Sequence, residues 1–399
     1  MREAIGFVLS LGRALHSNGY AAHRLEEILS AVAQQLQLEA QFFSTPTAIS
    51  AAFGPPDDQR TFLIRVEPGS VDLGKMAALD RVTLHVLRGD LTVVEGSAMI
   101  RAIGEAPPRY GPTITTLGFT IASAGAARFL GGGPVEIAVA AVIGCVIGLL
   151  SLVIGRSIAA GRVFEPVAAV VAVLIAQGAA HVIAPHAVFI AILAGLIVLI
   201  PGFTLTVAMN ELATRHLASG TARLSAAVMV FLTIIFGVAL GDGLMQQMLG
   251  PVPVADPPPM PVWTELVALA IAPFGFAILL RADPNDLGWI ALAGWLAFLG
   301  SRAGAVVLGP NLGSFVGALV VGAASNLYAL WRDRPSQITL VPGVLLLVPG
   351  SIGFRSLASL LDREVVLGVE TAFTMALVAS GIVAGLLIAN IVVPRRKSG

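Results

Sequence analysis

The sequence contains little cysteine, little charge and few aromatic residues. Its 399 residues include one cysteine, Cys145, together with 12% charged and 6% aromatic residues. A single cysteine forms no disulfide within the chain, and Cys145 lies in an apolar run, so we interpret it as a packing residue. Ordinary soluble domains have about 25% charged residues, so the low charge argues against a protein that is soluble along its whole length.

Neither sign of charge is in excess, and the motifs of several protein classes are missing. The chain has 24 basic and 24 acidic residues, so nothing draws it as a whole toward nucleic acid. It has no cysteine and histidine cluster with metal-ligand spacing, no P-loop and no G-x-S-x-G elbow. We therefore expect no metal, no cofactor, no nucleic-acid partner, no ATP hydrolysis and no catalytic residues.

Hydrophobic residues, by contrast, make up 56% of the chain, and most of them lie after residue 110. Apolar segments of about 20 residues, the length that crosses a bilayer, follow one another to the end. The predicted fold is mainly α, a polytopic membrane protein with about ten transmembrane helices. The predicted spans are 113–131, 134–155, 163–183, 187–209, 222–248, 262–280, 286–301, 304–330, 338–359 and 365–392.

Residues 1–110 carry nearly half of the charges and indicate a small α+β domain. Two amphipathic helices come first, the second over about residues 21–38, followed by strand-like runs at 39–44, 48–53 and 61–66. Further helices are predicted to start near Asp72 and Thr92 because both residue types suit helix N-caps. Pro107 and Pro108 mark the entry to the membrane region.

Two proline-glycine pairs interrupt apolar segments of the membrane region. Pro201-Gly202 lies inside one segment and Pro349-Gly350 inside another, 148 residues later. Proline removes a backbone donor and glycine loosens the turn, so each helix should be broken at mid-depth. Interrupted hydrophobic segments in corresponding positions of two halves are typical of transporter binding sites, although either pair alone could simply kink a helix to improve packing.

The same shift of 148 residues aligns other positions, including Gly195 with Gly343 and Asp242 with Asn390. Five spans per half is an odd number, so the second half should be inverted relative to the first. We therefore predict a first membrane repeat at 111–250, an external proline-rich loop at 251–261, and a second repeat at 262–399.

A helix break exposes backbone N–H and C=O groups that lipid cannot satisfy, so they must line a cavity or be covered by protein. The positive N-terminal end of a half-helix suits a carboxylate, and the carbonyl end suits an ammonium group. A site with both kinds of helix end therefore suits a zwitterionic amino acid. The predicted substrate-binding residues are Pro201, Gly202, Thr204, Asn210, Pro349, Gly350 and Ser351.

Ionisable residues within the spans are energetically expensive and therefore candidates for function. We predict that Glu211 or Asp242 carries the coupled proton, although Glu211 could instead form a surface pair with Arg215 at i+4. Glu165 and Glu370 are supporting candidates, and Glu165 could equally be a carboxylate favoured by a helix N-terminus. Arg355 could hold a substrate carboxylate or reach the outer interface.

Loop cations predict that both chain termini are cytoplasmic, because the side rich in lysine and arginine normally stays inside. Four cations fall in the predicted outer loops, namely Arg128, Arg302, Arg355 and Arg363. Ten fall in the inner loops, namely Arg156, Arg162, Arg215, Arg223, Arg281, Arg332, Arg334, Arg395, Arg396 and Lys397.

Long co-linear motifs resemble the bacterial threonine/serine exporter family over nearly the whole chain. In the N-terminal domain they are GRALHSNGYAAHRLEEIL, TPTAISAAF, TFLIRVEPGSVDLGKMAALD and the closing P-P-x-Y. In the membrane region the motif is LIPGFTLTVAMNELATRHLASGTARL, and the second half resembles a companion region that is a separate subunit in some relatives. The resemblance implies a secondary exporter of L-threonine and L-serine in the bacterial inner membrane, driven by the proton motive force through alternating access.

The resemblance also carries over motif residues and leaves alternatives open. In the membrane half these include Glu211, Gly220 and Arg223, and in the N-terminal domain they are Arg13, Gly19, His23, Arg24 and Glu26. In the N-terminal domain, His23, Arg24 and Glu26 lie on one helix and could form a catalytic or regulatory cluster. We favour instead a solvated helix face, or a salt bridge that docks the domain beneath the membrane. Two-chain relatives imply dicarboxylate export as an alternative.

Two other function classes compete with an exporter. A membrane-anchored hydrolase would need a nucleophile with a base, and Ser17 with His16 or His23 is the only local grouping. A channel would conduct substrate without a coupling ion. The expected partners are a small amino acid, protons and the lipid bilayer, with a homo-oligomer left open.

Overall fold

The computed structural model describes residues 1–67, 69–154, 161–253, 255–347, 349–361 and 363–394. Most of these residues are helical. Among the predicted inner-loop cations, Arg156, Arg395, Arg396 and Lys397 lie outside the described residues.

In its described residues, the N-terminal region combines four α-helices with one antiparallel sheet. The strands have the order β1-β2-β3, and Ala40 pairs with Phe53 while Ala48 pairs with Arg65. The elements are α1 (Arg2–Ser17), α2 (Ala22–Gln35), β1 (Ala40–Thr45), β2 (Ala48–Phe53), β3 (Arg60–Arg65), α3 (Leu73–Arg88) and α4 (Val93–Glu105).

Side-chain caps explain where the later helices of this region begin. The carboxylate of Asp72 accepts a hydrogen bond from the Lys75 amide at 2.9 Å, at the start of α3. Thr92 and Glu95 form a reciprocal capping box at the start of α4. The apolar face predicted for α2 is buried, with Leu25 fully inaccessible, and packs against the core around Phe7.

The rest of the described chain is almost entirely helical, and eight segments are long and apolar enough to cross a membrane. The chain is therefore a polytopic membrane protein. The helices are α5 (Pro112–Phe129), α6 (Pro134–Ile154), α7 (Phe164–Val182), α8 (Val188–Gly195), α9 (Gly202–Ala213), α10 (Leu217–Leu249), α11 (Val262–Leu279), α12 (Leu287–Leu308), α13 (Gly313–Arg332), α14 (Gln337–Leu345), α15 (Gly350–Leu361) and α16 (Val365–Val392).

The predicted boundary between the seventh and eighth spans is wrong. It was expected at residues 301–304, whereas α12 continues to Leu308 and the connection begins at Gly309, whose φ is +90°. The prediction treated Arg302 as a loop cation. Arg302 instead lies on an exposed helix surface and donates to Glu265 at 2.8 Å. Arg128 and Arg355 also lie in helices rather than in loops.

Both proline-glycine pairs coincide with a helix interruption. The first separates α8 from α9 and the second separates α14 from α15, and in each case the second half-helix begins at the glycine. Adding 148 to residues 202, 213 and 217 gives 350, 361 and 365, which are the corresponding helix ends in the second half.

Helix contacts also occur in matching pairs. The helix α7 packs on α10 while α13 packs on α16, and α9 packs on α16 while α15 packs on α10. Each broken helix therefore contacts the long helix of the opposite half. The first helices of the two halves, α5 and α11, pack directly on each other.

The N-terminal region docks against one side of the membrane helices, which we call the domain side. The Leu73 amide donates to the Leu280 carbonyl at 2.9 Å, and the Tyr110 hydroxyl donates to the Ala282 carbonyl at 2.8 Å. The hydrophobic core of the region is continuous with Ala282 and Tyr328. The opposite end of the membrane helices is called the distal side below.

Candidate functional site

The two helix breaks meet inside the membrane region. A Cβ atom built on Gly350 would lie 3.2 Å from the Gly202 Cα and 2.7 Å from the Ile200 Cγ2. Pro201 and Pro349 precede these glycines and are buried. A side chain at position 350 would displace the Ile200 side chain and press on the Gly202 backbone, so the close break contact depends on glycine at Gly350.

A junction cavity of about 100 Å³ lies on the domain side of the break contact. Its membrane wall comes mainly from α9 and α14, with Leu386 of α16, and the remaining wall comes from the N-terminal region. One face of α9, at helical spacing i, i+3, i+4 and i+7, points into it. The lining residues are Gly19, Tyr20, Ala21, His23, Arg24, Met76, Phe203, Thr206, Val207, Asn210, Gln337, Leu340, Val341, Val344 and Leu386.

A distal cavity of about 190 Å³ lies among α7, α8, α10 and α15. The half-helices α8 and α15, on the other side of each break from α9 and α14, supply part of its wall. Its lining residues are Val173, Gln177, Val188, Phe189, Ile192, Ile235, Val238, Ala239, Asp242, Phe354, Ala358 and Leu361.

Asp242 is a polar side chain in the wall of the distal cavity. Its two carboxylate oxygens accept hydrogen bonds from the side-chain amides of Gln177 at 2.6 Å and Gln246 at 2.7 Å. The Gln177 side chain is buried, and its Oε1 atom has no hydrogen-bond partner within the described parts of the chain. Asp242 follows Arg223 by 19 positions on α10, so the two lie about 28 Å apart along the helix.

Glu211 has a different environment, because it is fully buried where the N-terminal region meets the membrane helices. Its carboxylate accepts from the Ala22 amide at 2.8 Å, from the Ser219 hydroxyl at 2.7 Å, and from the Arg223 Nε at 3.1 Å to each oxygen. Ala22 begins α2, where a negative charge is favoured by the helix dipole. The predicted pair with Arg215 is wrong, because Arg223 is the partner.

Further ion pairs connect the N-terminal region to the domain side. Glu26 accepts from the Ser44 amide at 2.6 Å and lies 3.4 Å from His216, and burial raises the pKa of its carboxyl. The other pairs are Asp72 with Arg281 at 3.3 Å, Arg109 with Asp283 at 3.1 Å and Arg88 with Asp333 at 3.3 Å. Charged residues of the domain thus serve as docking contacts.

Several sequence-predicted residues lie away from both cavities. Of the predicted substrate-binding residues, Asn210 lines the junction cavity. The others form or flank the break contact and line neither cavity, namely Pro201, Gly202, Thr204, Pro349, Gly350 and Ser351. Arg355 and Glu370 are exposed, on α15 and α16. Glu165 lies in the first turn of α7, as a carboxylate favoured by a helix N-terminus would.

Four polar residues of the cavities were not predicted from the sequence, namely Tyr20, Gln177, Thr206 and Gln337. Two more, His23 and Arg24, were identified only as motif residues of the N-terminal region. Gln177 and Gln337 carry no charge, so the search for ionisable residues passed over them, and Tyr20 belongs to the N-terminal region. Arg24 was assigned to a domain cluster, although it lines the junction cavity. Helical spacing from Asn210 would have indicated Thr206 and Phe203 on the same face.

The two histidines considered as bases for a hydrolase, His16 and His23, have other contacts. The Nε2 of His16 lies 3.0 Å from the Thr45 carbonyl oxygen, which makes it a structural hydrogen-bond partner of the sheet. Burial lowers the pKa of His16. The ring of His23 instead lies 5.9 Å from that of His216, at the docking surface.

Comparison with known proteins covers both the N-terminal and the membrane region. The family model for threonine/serine exporters matches residues 6–245, and a second model, "Threonine/Serine exporter, ThrE", matches residues 265–392. The chain belongs to the threonine/serine exporter family. Membership in an exporter family favours a transporter with a small-molecule substrate rather than an enzyme.

Individual relatives include both bacterial and fungal proteins. A "Probable threonine/serine exporter" of Mycobacterium tuberculosis is 26% identical over 98% of this chain and 77% of its own. "Pheromone-regulated membrane protein 10" of Saccharomyces cerevisiae is 25% identical over 88% of this chain and 46% of its own. An uncharacterized Schizosaccharomyces pombe protein is 24% identical over 87% and 47%. The chain therefore spans about half the length of these fungal relatives. No solved structure matches significantly.

Proposed function

We propose that this chain is a secondary active exporter of small amino acids, with L-threonine and L-serine as substrates, that works by alternating access. One observation carries the proposal. Two cavities lie on opposite sides of a single contact between two broken helices, with α9 and α14 lining one and α8 and α15 lining the other. A shift of the half-helices at that contact would open one cavity to the other.

The architecture we infer is ten spans in two inverted five-span halves. Support comes from the recurrence of helix ends after 148 residues and from the matching contacts of the two broken helices. Because each half has an odd number of spans, a direct repeat would leave the halves in opposite orientations in the membrane. The domains are then 1–110, 111–250 and 262–399, with 251–261 as a connecting loop.

The substrate passes between the breaks. In the break contact the Gly202 amide donates to the Ile200 carbonyl at 2.8 Å, and the Pro201 and Pro349 carbonyls accept from the Leu205 and Gly353 amides at 2.9 and 3.0 Å. Backbone groups at these half-helix ends would supply donors and acceptors for a zwitterion when the contact separates, and Thr206 and Asn210 line the approach from the domain side. Thr204 and Ser351 flank the break contact and would come within reach when it separates. Threonine transport by a variant with Pro201 and Gly202 both replaced by alanine tests this path. The variant should insert in the membrane but should not transport threonine.

For proton coupling we favour Asp242 over Glu211. Asp242 lies at a cavity wall and its partners are neutral amides, so a proton can be gained without breaking an ion pair. The Glu211 carboxylate accepts hydrogen bonds from the Ala22 amide, the Ser219 hydroxyl and the Arg223 guanidinium. A proton on this carboxylate would displace one of these donors. We assign Glu211 and Arg223 to docking of the N-terminal region.

We propose the bacterial inner membrane as the location, with both termini and the domain side cytoplasmic. Arg215, Arg281 and Arg334, three cations of the predicted inner loops, follow or precede helix ends on the domain side. The junction cavity would then receive substrate from the cytoplasm. Labelling of single cysteines introduced in the 251–261 loop of intact cells tests this orientation, and labelling only after permeabilisation would overturn it.

Counterflow in proteoliposomes tests the substrate. Labelled threonine should accumulate in vesicles preloaded with unlabelled threonine or serine, and preloading with succinate should have no effect. Counterflow by succinate alone would replace the amino-acid assignment with dicarboxylate export, and flux that shows no exchange acceleration would indicate a channel.

Coupling is tested separately in inverted vesicles, where export appears as uptake. Threonine uptake should rise when the interior is made acidic and should fall when an ionophore collapses the gradient. Uptake that does not respond to the gradient would remove the proton from the mechanism while leaving the substrate assignment intact.

A further inference from the structure

The N-terminal region and the membrane helices together form the wall of the junction cavity. The loop before α2 and the first turn of α2 supply Tyr20, His23 and Arg24 to its wall. These residues face Thr206 and Asn210 of α9 and Gln337 of α14 across a space of about 100 Å³. The domain therefore contributes side chains to the compartment that the proposed substrate must cross.

Arg24 is the informative member of this wall. Its Nη1 donates to the Glu27 carboxylate at 2.6 Å, but its Nε is buried and has no hydrogen-bond partner within the described residues. A buried donor without a partner is unfavourable, most of all on a charged group, and native proteins rarely leave one. The Arg24 side chain as a whole is 17% exposed and lines the cavity, so its guanidinium is the cationic group that a ligand in the cavity meets.

The charges around the cavity specify the kind of ligand. Among the residues that the structure describes, its lining includes Arg24 but no aspartate or glutamate, and the remaining polar lining side chains are amides, hydroxyls and the His23 ring. The Glu27 carboxylate that pairs with Arg24 is 59% exposed, so it compensates the arginine on the solvent side only. The cavity therefore favours an anionic group, and a guanidinium edge matches a carboxylate.

We propose that Arg24 binds the carboxylate of the exported amino acid, so that the N-terminal domain forms part of the transport site. This inference rests on the proposed function. Substrate entering the junction cavity is held by its carboxylate at the Arg24 guanidinium, and its ammonium group and side chain face Asn210, Thr206 and Gln337. The domain then selects carboxylate-bearing molecules before they reach the break contact.

The test uses the full chain in proteoliposomes and compares Arg24→Gln with Glu27→Gln. Loss of a charge-assisted hydrogen bond should raise the KM for threonine about ten- to hundred-fold in Arg24→Gln. Glu27→Gln removes the same surface ion pair but keeps the guanidinium, so its KM should stay within about twofold of the unaltered protein. Arg24→Lys keeps the positive charge but loses the planar guanidinium, so its KM for threonine should lie between those of the two other variants.

A second readout separates ligand binding from a structural role. Threoninol replaces the carboxylate of threonine with an alcohol, so it should compete poorly with threonine on the unaltered protein. In Arg24→Gln the preference for threonine over threoninol should shrink by the same factor as the KM rises. A purely structural defect would weaken the binding of threonine and of threoninol equally.

Two results would overturn the inference while leaving the exporter assignment intact. One is an unchanged KM in Arg24→Gln, and the other is equal effects of Arg24→Gln and Glu27→Gln. Failure of the proposed function itself would appear as missing threonine counterflow in the unaltered protein, so the two failures are distinguishable.

Discussion

Glu211 and Asp242 belong to the same half of the membrane region, yet their surroundings differ in kind. Glu211 is fully buried and accepts hydrogen bonds from a helix N-terminus, a hydroxyl and Arg223. Asp242 is half-buried at a cavity wall and accepts from two neutral amides. The difference teaches that burial of an acid within an apolar helix does not identify its role. The hydrogen-bond partners identify the role. A cationic partner holds the carboxylate in an ion pair that anchors a contact, whereas neutral partners allow the carboxylate to gain or lose a proton.

Arg223→Ala should give the largest loss of stability, because it leaves the Glu211 carboxylate buried without its cation. Removing one partner of a buried pair costs about 3–5 kcal/mol. We expect a lower unfolding temperature and faster proteolysis between the N-terminal region and the membrane helices. The matched control is the double variant Glu211→Gln, Arg223→Ala, which should recover part of the loss. An unchanged unfolding temperature in Arg223→Ala would contradict the anchoring role.

Gly350→Ala should lose transport with a smaller cost in stability. Its new methyl group would meet Ile200 at 2.7 Å and the Gly202 backbone at 3.2 Å, and overpacking of this kind costs about 1–3 kcal/mol. The measurement is threonine counterflow alongside thermal unfolding. Gly178→Ala is the control, because a methyl group there has no neighbour within 4 Å and replacement of a helical glycine is neutral or stabilising. Normal transport by Gly350→Ala would show that the breaks can move apart freely.

Asp242→Asn should leave the fold nearly unchanged but remove the response of transport to a pH gradient. Asparagine keeps one acceptor oxygen, and its NH2 group can donate to the Gln177 Oε1 once that amide turns over, so the free energy of unfolding should change by about 1 kcal/mol. Counterflow should persist because exchange needs no net proton movement. Retained acceleration by a pH gradient in Asp242→Asn would exclude it as the proton carrier and return attention to Glu211.

The smallest effect concerns pH-dependent stability of the N-terminal region. Burial lowers the pKa of His16 below its ordinary value of 6.5, so its contribution to stability is present above that pH and is lost as the pH falls through the folded-state pKa. His16→Gln, which can still donate to the Thr45 carbonyl, should show a smaller fall in unfolding temperature between about pH 7.5 and 5.5.

Glu26 provides the control of opposite sign for the His16 measurement. Burial raises the pKa of its carboxyl above 4.5, so its contribution is present at low pH and is lost as the pH rises through the folded-state pKa. Glu26→Gln should therefore make the protein relatively more stable at neutral pH. Parallel shifts in both variants would contradict the assigned signs.

Composition and local pattern by themselves determined the class of this protein and most of its helices. A run of about 20 apolar residues has one stable form in a bilayer, because every backbone group must be satisfied within the segment. The breaks at Pro201-Gly202 and Pro349-Gly350 and the caps at Asp72 and Thr92 were predictable for the same reason, since each depends on backbone chemistry within a few residues.

Only the tertiary structure decided which residues share a site. Arg24 is separated by more than 180 residues from Asn210, and no local signal connects a soluble helix to a membrane cavity. Arg223 rather than Arg215 is paired with Glu211 because the chain turns at residues 214–216 and brings the next helix back across the carboxylate. Spacing along one helix predicts neighbours at three or four residues, whereas side-chain partners across a turn or between domains depend on how the elements pack.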